Sequence, residues 1–350
     1  MIIIKRIWYH LFKIFISSGL FFFFKKIHIH NEENIPKKGA VLMVSNHKNA
    51  LIDPLLIATS VKRNIHFLTR ASAFKIRLVH WFLSTLNMIP IYRMRDGKET
   101  LAKNEAIFNK CYNILNNRKC LLIFPEGTHD IKRWVRPLSK GFTRITFGAL
   151  EQNENLELNI VPIGLNYTNA TDFAESVSIY YGKPILANKF YNKAELNNSI
   201  LTLKTEVYEK LKELTTHIES ENYDETIEKL GKIDYLNPIK VNNNISELTD
   251  EKFQSSSRRK EPSLLWKLLK NIVAINSFIP LLIYKVFLPK IKEIEFISTT
   301  KFAIGITAFP IFYGLQSLVL NYYFGLNYAL IYLITSIIMV LILAKTKTTN

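Results

Sequence analysis

Between residues 27 and about 220, short apolar runs alternate with amphipathic stretches, the pattern of an α/β domain in which helices link buried strands. Strands are predicted at residues 40–44, 65–68, 88–92, 120–124, 160–165 and 178–181. The clearest helix follows Gly97: Leu101, Phe108 and Leu115 repeat every seven residues, and Ile107, Cys111 and Ile114 fill the same face. A second helix is predicted over 201–218.

The two ends differ from this middle. Residues 1–26 hold Lys5, Arg6 and Lys13 in the first half, then an uncharged run at 14–24 that is too short to span a bilayer. The following Lys25 and Lys26, with no small residues at a cleavage position, argue against a secretory signal. An uncleaved amphipathic helix lying in the membrane interface fits best. Residues 221–262 are polar and end in Ser255, Ser256, Ser257, Arg258, Arg259 and Lys260, which predicts a connector with some helix. Residues 263–350 form an apolar region. Stretches 302–320 and 328–344 are uncharged and long enough to span, with Lys290, Lys292 and Lys301 before the first and Lys345 and Lys347 after the second. The positive-inside rule places both flanks on the cytoplasmic side, so the pair reads as a hairpin and the catalytic domain as cytoplasmic, on the cytoplasmic membrane. Segment 264–288 is shorter and broken by Pro280, which suits an interfacial or re-entrant piece.

Charge sharpens the picture. The chain of 350 residues carries a net charge of +17, yet its mean hydropathy is +0.06, because apolar blocks and charges are segregated. Such a balance suits nucleic acid, anionic lipid or a phosphorylated substrate. The basic residues flank apolar segments instead of forming a stripe with interleaved aromatics, which favours a membrane with anionic lipids and argues against nucleic acid. The two cysteines, Cys111 and Cys120, make neither a disulfide framework nor a metal motif.

Two polar clusters stand at predicted strand ends, where α/β proteins place their chemistry. The first holds His47 and Asp53. A neutral imidazole can take a proton from a hydroxyl if a second group fixes its tautomer, and Asp53 is the candidate orienter. Six residues apart, they meet only if 48–52 forms a turn; Asp53 as N-cap with Pro54 at N1 is the helix-start signature that would end such a turn. Ser45 sits in the predicted strand and no other Ser or Cys has a nucleophile's context. A base without a protein nucleophile implies that the substrate supplies the hydroxyl, hence direct transfer.

The second cluster is Phe124, Pro125, Glu126, Gly127, Thr128, His129 and Asp130. Gly127 permits a left-handed turn, and Glu126 can accept hydrogen bonds from substrate hydroxyls. Lys140 and Arg144, four apart on a predicted helix, share a face, and Arg93 ends another predicted strand. Three cations around one mouth suit a phosphate. Arg95, Lys98 and Lys103 read as solvated surface.

Together these blocks resemble the glycerolipid acyltransferase family. Asn46, His47 and Asp53 resemble its catalytic His/Asp motif. Residues 89–93, ending in Arg93, resemble the block whose arginine binds glycerol phosphate. Residues 124–128, with Glu126, Gly127 and Thr128, resemble the acceptor-binding block, and 160–163 resemble the proline-containing fourth. The likeness covers residues 25 to about 220. One departure is that five residues, not four, separate His47 from Asp53. That spacing is similar to a branch that includes glycerol-3-phosphate/dihydroxyacetone-phosphate acyltransferases.

The resemblance implies a central mixed sheet flanked by helices, with the interfacial helix and the membrane region appended. It implies an O-acyltransferase that moves a fatty acyl chain from acyl-CoA or acyl-carrier protein to glycerol 3-phosphate or 1-acylglycerol 3-phosphate in phospholipid biosynthesis. No metal or other cofactor is expected. Acylation of another lysolipid, such as an amino-acid lipid precursor, and a non-catalytic membrane adaptor on the same fold are the alternatives. A metal hydrolase using His47, Asp53, His129 and Asp130 as ligands would lack any recognised ligand spacing.

Overall fold

The computed structural model describes residues 2–92, 103–231, 233–247 and 263–347. Helix α1 (Ile2–Phe23) leads into strand β1 (Lys26–His30). There follow β2 (Ala40–Ser45), α2 (Ile52–Ser60), β3 (Ile65–Arg70), α3 (Arg77–Thr85), β4 (Met88–Ile91), α4 (Asn104–Asn116), β5 (Cys120–Ile123), α5 (Gly141–Gln152), β6 (Leu158–Tyr167), β7 (Ser176–Tyr181), β8 (Ile185–Leu186) and α6 (Leu196–Leu214). Helices α7 (Tyr223–Leu230) and α8 (Pro238–Glu247) come next, then α9 (Leu264–Asn276), α10 (Phe278–Phe287), α11 (Phe296–Phe324) and α12 (Leu326–Thr346).

The strands form one mixed sheet in the order β1-β7-β6-β2-β5-β3-β4, with β8 also on β6. From β6 through β2, β5 and β3 to β4 the strands are parallel. Strands β7 and β8 run antiparallel to β6, and β1 is parallel to β7. Side-chain alternation divides each central strand between two cores. Val41, Met43, Cys120, Leu122, Val161, Ile163 and Leu165 face α1 and α2. Ala40, Leu42, Val44, Leu121, Ile123, Leu158 and Ile160 face α4, α5 and α6. The architecture is therefore α/β, a central mixed sheet with helices on both faces. Cys111 and Cys120 are buried in different cores, on opposite faces of the sheet.

The six strands read from the pattern are all present, with ends shifted by at most two residues. Strands β1 and β8 were not predicted. Strand β1 lies at the sheet edge and holds only two apolar residues, which share a face; Ile27 packs against the core while Ile29 is exposed, so its apolar signal is weak. The predicted helix over 201–218 begins and ends earlier, as α6. It stops because residues 215–217 turn outward to other partners: Thr216 N donates to Asn166, His217 N to Asn242, and His217 Nδ1 accepts Val135 N. The helix expected after Gly97 is α4; residues 93–102 lie outside the described ones. The connector expected at 221–262 holds two helices, α7 and α8, within its described part; residues 232 and 248–262 lie outside the described ones. There α7 and α8 close a small core of Ile218, Leu230, Tyr235 and Val241, and Tyr235 lies over the Arg133 guanidinium, so the packed body continues past residue 220.

Helix α1 has two faces. Ile16, Leu20 and Phe23 are buried, while Ile4, Ile7, Leu11, Ile14 and Phe15 point outward. Full burial of one large apolar side chain is worth about 1.5–3 kcal/mol, enough for three of them to fix α1 to the domain while its other side stays apolar and exposed.

Helices α11 and α12 are long and apolar enough to cross a membrane, and both extend beyond the predicted 302–320 and 328–344. Helix α9 and the α10 segment are bent against each other by 87°. Polar side chains gather at that bend: Asn276 donates to Ser336 and accepts from Tyr332, and Ser277 meets Tyr313. The two ends of the α11–α12 hairpin return to the domain together. Lys301 and Lys347 both reach the carboxylate of Asp172, at 2.8 and 2.9 Å, and Lys345 donates to the carbonyls of Phe21 and Phe24. Helix α11 also crosses α1 closely. A Cβ on Gly19 would lie 2.5 Å from Ile306, and the rings of Phe23 and Phe302 pack edge to face.

Candidate active site

The neighbouring parallel strands β2 and β5 end side by side, and both polar clusters follow them. Beyond β2, the side chain of Asn46 pairs with the backbone of Leu165 on β6, accepting its N–H at 2.8 Å and donating to its carbonyl at 3.0 Å. This pins the chain as it leaves the sheet. Residues 48–51 then turn back, and Asp53 enters the first turn of α2 fully buried. Its Oδ2 accepts three donors: His47 Nδ1 at 2.8 Å, Lys48 N at 2.7 Å and Asn49 N at 2.7 Å. Its Oδ1 accepts the hydroxyl of Tyr167. Burial and the adjacent Asp53 push the Tyr167 phenol well above its ordinary pKa, so it remains a donor.

The extra residue between His47 and Asp53 is absorbed in this turn, whose two freed N–H groups bind the same carboxylate as the imidazole. Asp53 is not the N-cap that the Asp-Pro pair predicts. Helix α2 begins at Ile52 with Leu51 as its cap, and the Asp53 side chain reaches back to the loop before it. A carboxylate only accepts, so His47 carries its proton on Nδ1 and its lone pair on Nε2. The ring stacks on Phe124 at 4.1 Å and meets the edge of His129 at 5.6 Å.

The second cluster turns at Gly127, whose N–H bonds the Phe124 carbonyl at 3.2 Å and whose φ of +73° lies in the left-handed region. The expectation that Glu126 presents its carboxylate to a ligand is corrected here. The Glu126 side chain is fully buried, and its Oε2 takes Arg136 Nε at 3.0 Å and Nη2 at 2.9 Å. Arg136 also donates to the hydroxyl and the carbonyl of Thr128, so one guanidinium holds the whole turn. Burial pushes the Glu126 carboxyl up, against the pull of Lys48 and Arg136. Lys48 is itself buried and donates to the carbonyls of Lys132 and Trp134. Its burial lowers its pKa to about 8, opposed by Glu126 and Asp130.

Two of the three basic residues named for a phosphate, Lys140 and Arg144, are among the described ones. Lys140 is exposed and caps α5. Arg144 is exposed, with its guanidinium over the ring of Phe108 at 4.4 Å, an aromatic contact on α4. Arg93 lies outside the described residues. The ligands of a His47/Asp53/His129/Asp130 metal set do not converge. Asp130 accepts Lys132 N and Trp134 Nε1, and among the described residues the histidine–carboxylate group close enough for a cation is His129, Glu293 and Glu295. His129 Nε2 bonds Glu293 at 2.8 Å. Burial, with His47 beside it, lowers the His129 pKa to about 4, so it is a neutral donor near pH 7.

Several residues at this site escaped the sequence reading. Arg136 lies ten residues past Glu126 with no periodicity linking them. Tyr167 ends a strand more than a hundred residues beyond Asp53. Ser298 and Thr299, in the first turn of α11, bond to Asn49. A polar Ser298-Thr299-Thr300 run just before a long apolar stretch was the available signal for the last pair.

Residues 26–166 match the family model described as Acyltransferase. Glycerol-3-phosphate O-acyltransferase 2 of Saccharomyces cerevisiae is 19% identical over 290 residues, covering 53% of this chain and 39% of that protein. The probable 1-acyl-sn-glycerol-3-phosphate acyltransferase of Mycoplasma pneumoniae is 29% identical over 140 residues, covering 39% of this chain and 51% of that protein. The chain thus spans about half, or less, of the length of these curated relatives. The crystal structure of the 1-acyl-sn-glycerophosphate acyltransferase PlsC from Thermotoga maritima matches with a TM-score of 0.43 at 20% identity, over 59% of this chain and 80% of that one. The family match contains both polar clusters and ends before the helices from α6 onward.

Proposed function

We propose, from the premise that residues 26–166 are a domain of the acyltransferase family, that this chain transfers a fatty acyl group from a thioester donor to the hydroxyl of a phosphorylated glycerol. The donor would be acyl-CoA or acyl-carrier protein, and the acceptor glycerol 3-phosphate or 1-acylglycerol 3-phosphate, the acceptors for which the yeast and mycoplasma relatives are named. The observation that carries this reading is the 2.8 Å contact between His47 Nδ1 and Asp53, which leaves Nε2 as the basic nitrogen at the end of a parallel strand.

In the reaction, His47 Nε2 takes the proton of the acceptor hydroxyl as its oxygen attacks the thioester carbonyl. Asp53 stabilises the imidazolium that forms. The tetrahedral intermediate collapses with cleavage of the carbon–sulfur bond, and the imidazolium returns its proton to the departing thiolate. The exposed Gly127 turn, beside Phe124 and His47, forms the acceptor side, with Thr128 held in it by Arg136. Glu126 acts there as a positioning residue through Arg136. Arg93 and Lys140 take the acceptor phosphate. Arg144, over Phe108, adds only to the surrounding positive field.

The apolar products and donors fit a site at a bilayer. Helices α11 and α12, the outward face of α1 and the flanking lysines would hold the domain against anionic lipid, at roughly 1 kcal/mol per nearby cation. By the positive-inside rule that side is cytoplasmic.

Transfer of a labelled acyl chain, with membranes carrying the wild-type protein and a folded His47→Ala variant, tests the reading. The acceptor panel is glycerol 3-phosphate, dihydroxyacetone phosphate, 1-acylglycerol 3-phosphate and a lyso-amino lipid. General-base catalysis is worth roughly 10²–10⁴-fold, so His47→Ala should lose at least the lower figure. Near wild-type transfer by that variant, or preference for the amino lipid, would refute the mechanism or the phosphate acceptor respectively.

A further inference from the structure

The contact between α11 and the loop after β2 is polar, buried and specific, and membrane anchoring alone does not call for it. Asn49 is fully buried. Its Nδ2 donates to the Ala170 carbonyl at 2.6 Å and to Ser298 Oγ, and its Oδ1 accepts the Thr299 hydroxyl at 3.3 Å. Ser298 Oγ donates in turn to the same Ala170 carbonyl at 2.8 Å, and Leu51 N donates to Thr299 Oγ1 at 3.3 Å. The backbone N–H of Asn49 binds Asp53 Oδ2. One residue therefore joins the carboxylate that orients His47 to the first turn of the first apolar helix. A second link reaches the other side of the imidazole: His129, edge-on to His47, bonds Glu293 in the lead-in to α11 and packs on Phe296.

We propose that the start of α11 is part of the catalytic unit: Ser298 and Thr299 are positioning residues that hold loop 47–53, and with it the His47–Asp53 pair, in working geometry. An apolar helix that served only as an anchor would touch the domain through apolar surface. Here a buried amide has both ends bonded, and removing either hydroxyl leaves part of it unpaired in a dry site. Seating of the hairpin, further clasped by Lys301 and Lys347 on Asp172, is then coupled to the position of the base. The inference rests on the acyltransfer reading for its effect on rate, and on geometry alone for its effect on His47.

The test uses the full chain in vesicles with two readouts. The first is kcat and KM for acyl transfer. The second is the rate at which diethyl pyrocarbonate modifies His47, followed by peptide mass spectrometry, which needs no substrate. The variants are Ser298→Ala/Thr299→Val, the hydroxyl-retaining Thr299→Ser, and Leu318→Ala on the exposed face of α11 as control. Misplacing a catalytic group by about 1 Å can cost roughly 10²-fold. The double variant should accordingly lose about 10- to 100-fold in kcat with little change in either KM, and its His47, less firmly held, should be modified faster than in wild type. Thr299→Ser and Leu318→Ala should behave as wild type. If the double variant does not fold, Ser298→Ala alone carries the same comparison. Unchanged His47 reactivity in a folded variant overturns the proposal. Wild-type protein that transfers no acyl group, but whose His47 reactivity rises on the double substitution, overturns the acyltransfer reading and leaves the positioning role standing.

Discussion

The hydroxyl of Tyr167, the last residue of β6, donates to Oδ1 of Asp53 while His47 occupies Oδ2. The two oxygens thus have separate duties, one holding the carboxylate in place and the other orienting the imidazole. Tyr167→Phe deletes the first alone and leaves a buried oxygen without that donor. A hydrogen bond to a charged group contributes about 1.5–3 kcal/mol. The variant should lose about that much stability in a denaturant titration, and about tenfold in kcat from the freer carboxylate. An unchanged midpoint would show that Asp53 is held by its three other donors.

Asp53→Asn keeps the shape but changes the chemistry. An amide has one acceptor oxygen: in the place of Oδ2 it is a neutral, weaker acceptor for His47 Nδ1, Lys48 N and Asn49 N, and turned over it sets its NH₂ against those donors. The imidazole would lose its fixed tautomer, so transfer should fall by roughly 10²–10⁴-fold, as for loss of the base itself. Steady-state rates of Asp53→Asn, His47→Ala and the double variant decide this. If the two residues act as a unit, the double variant is little worse than either single one. Fully multiplied losses would separate them.

How far the sequence reveals this site depends on distance along the chain. His47 and Asp53 are legible because a base and an acid stand six residues apart at the end of an apolar run. The turn that joins them was inferable from Asp53 and Pro54, although the helix starts two residues earlier than that pair indicates. Glu126 was legible as a carboxylate in a glycine turn, but its partner was not. Arg136 comes from an irregular segment, and only the folded loop shows that it takes up both oxygen-bearing groups of Glu126 and Thr128. Tyr167 and Asn49 belong to contacts set by sheet order and helix docking. The apolar length of α11 announces a helix long enough to span a bilayer, yet nothing in a hydropathy pattern indicates that its first turn touches the loop beside His47.

Arg136 and Glu126 form a buried pair whose rupture should be severe. The Arg136 side chain is 15% exposed and that of Glu126 is fully buried. Arg136→Ala would strand a carboxylate whose remaining cationic neighbour is Lys48. Breaking such a pair typically costs about 3–5 kcal/mol, whereas replacing both members with apolar residues is often near neutral. The Glu126→Leu/Arg136→Met protein should therefore unfold at a higher temperature than Arg136→Ala. Its transfer activity should remain low, because Thr128 loses its anchor in both. The reverse order of midpoints would mean that the pair does not hold the turn.

His129 gives the protein a specific sensitivity to acid. Its pKa is lowered from the ordinary 6.5 to about 4, first by burial and then by His47. Between those values the unfolded chain binds a proton that the folded chain does not, so stability falls as pH drops from about 6.5 towards 4. One pKa unit corresponds to about 1.4 kcal/mol, and with Glu293 half-exposed beside the ring the loss should be on the order of 1–3 kcal/mol. Asp172 acts in another window. Burial pushes its carboxyl up, but Lys301 and Lys347 hold it well below the ordinary value of 3.8, so its contribution survives to pH 4 and disappears only below that. His129→Gln keeps a donor for Glu293 and removes the titration. Its thermal midpoint should match wild type above pH 7 and fall less steeply between pH 6.5 and 4.5, while both proteins lose the Asp172 contribution alike below pH 4. Other lowered histidines, His28, His66 and His217, are common to both proteins and cancel in the comparison. Parallel curves throughout the range would place the His129 imidazolium comfortably in the fold, paired with Glu293, and remove the acid sensitivity from this residue.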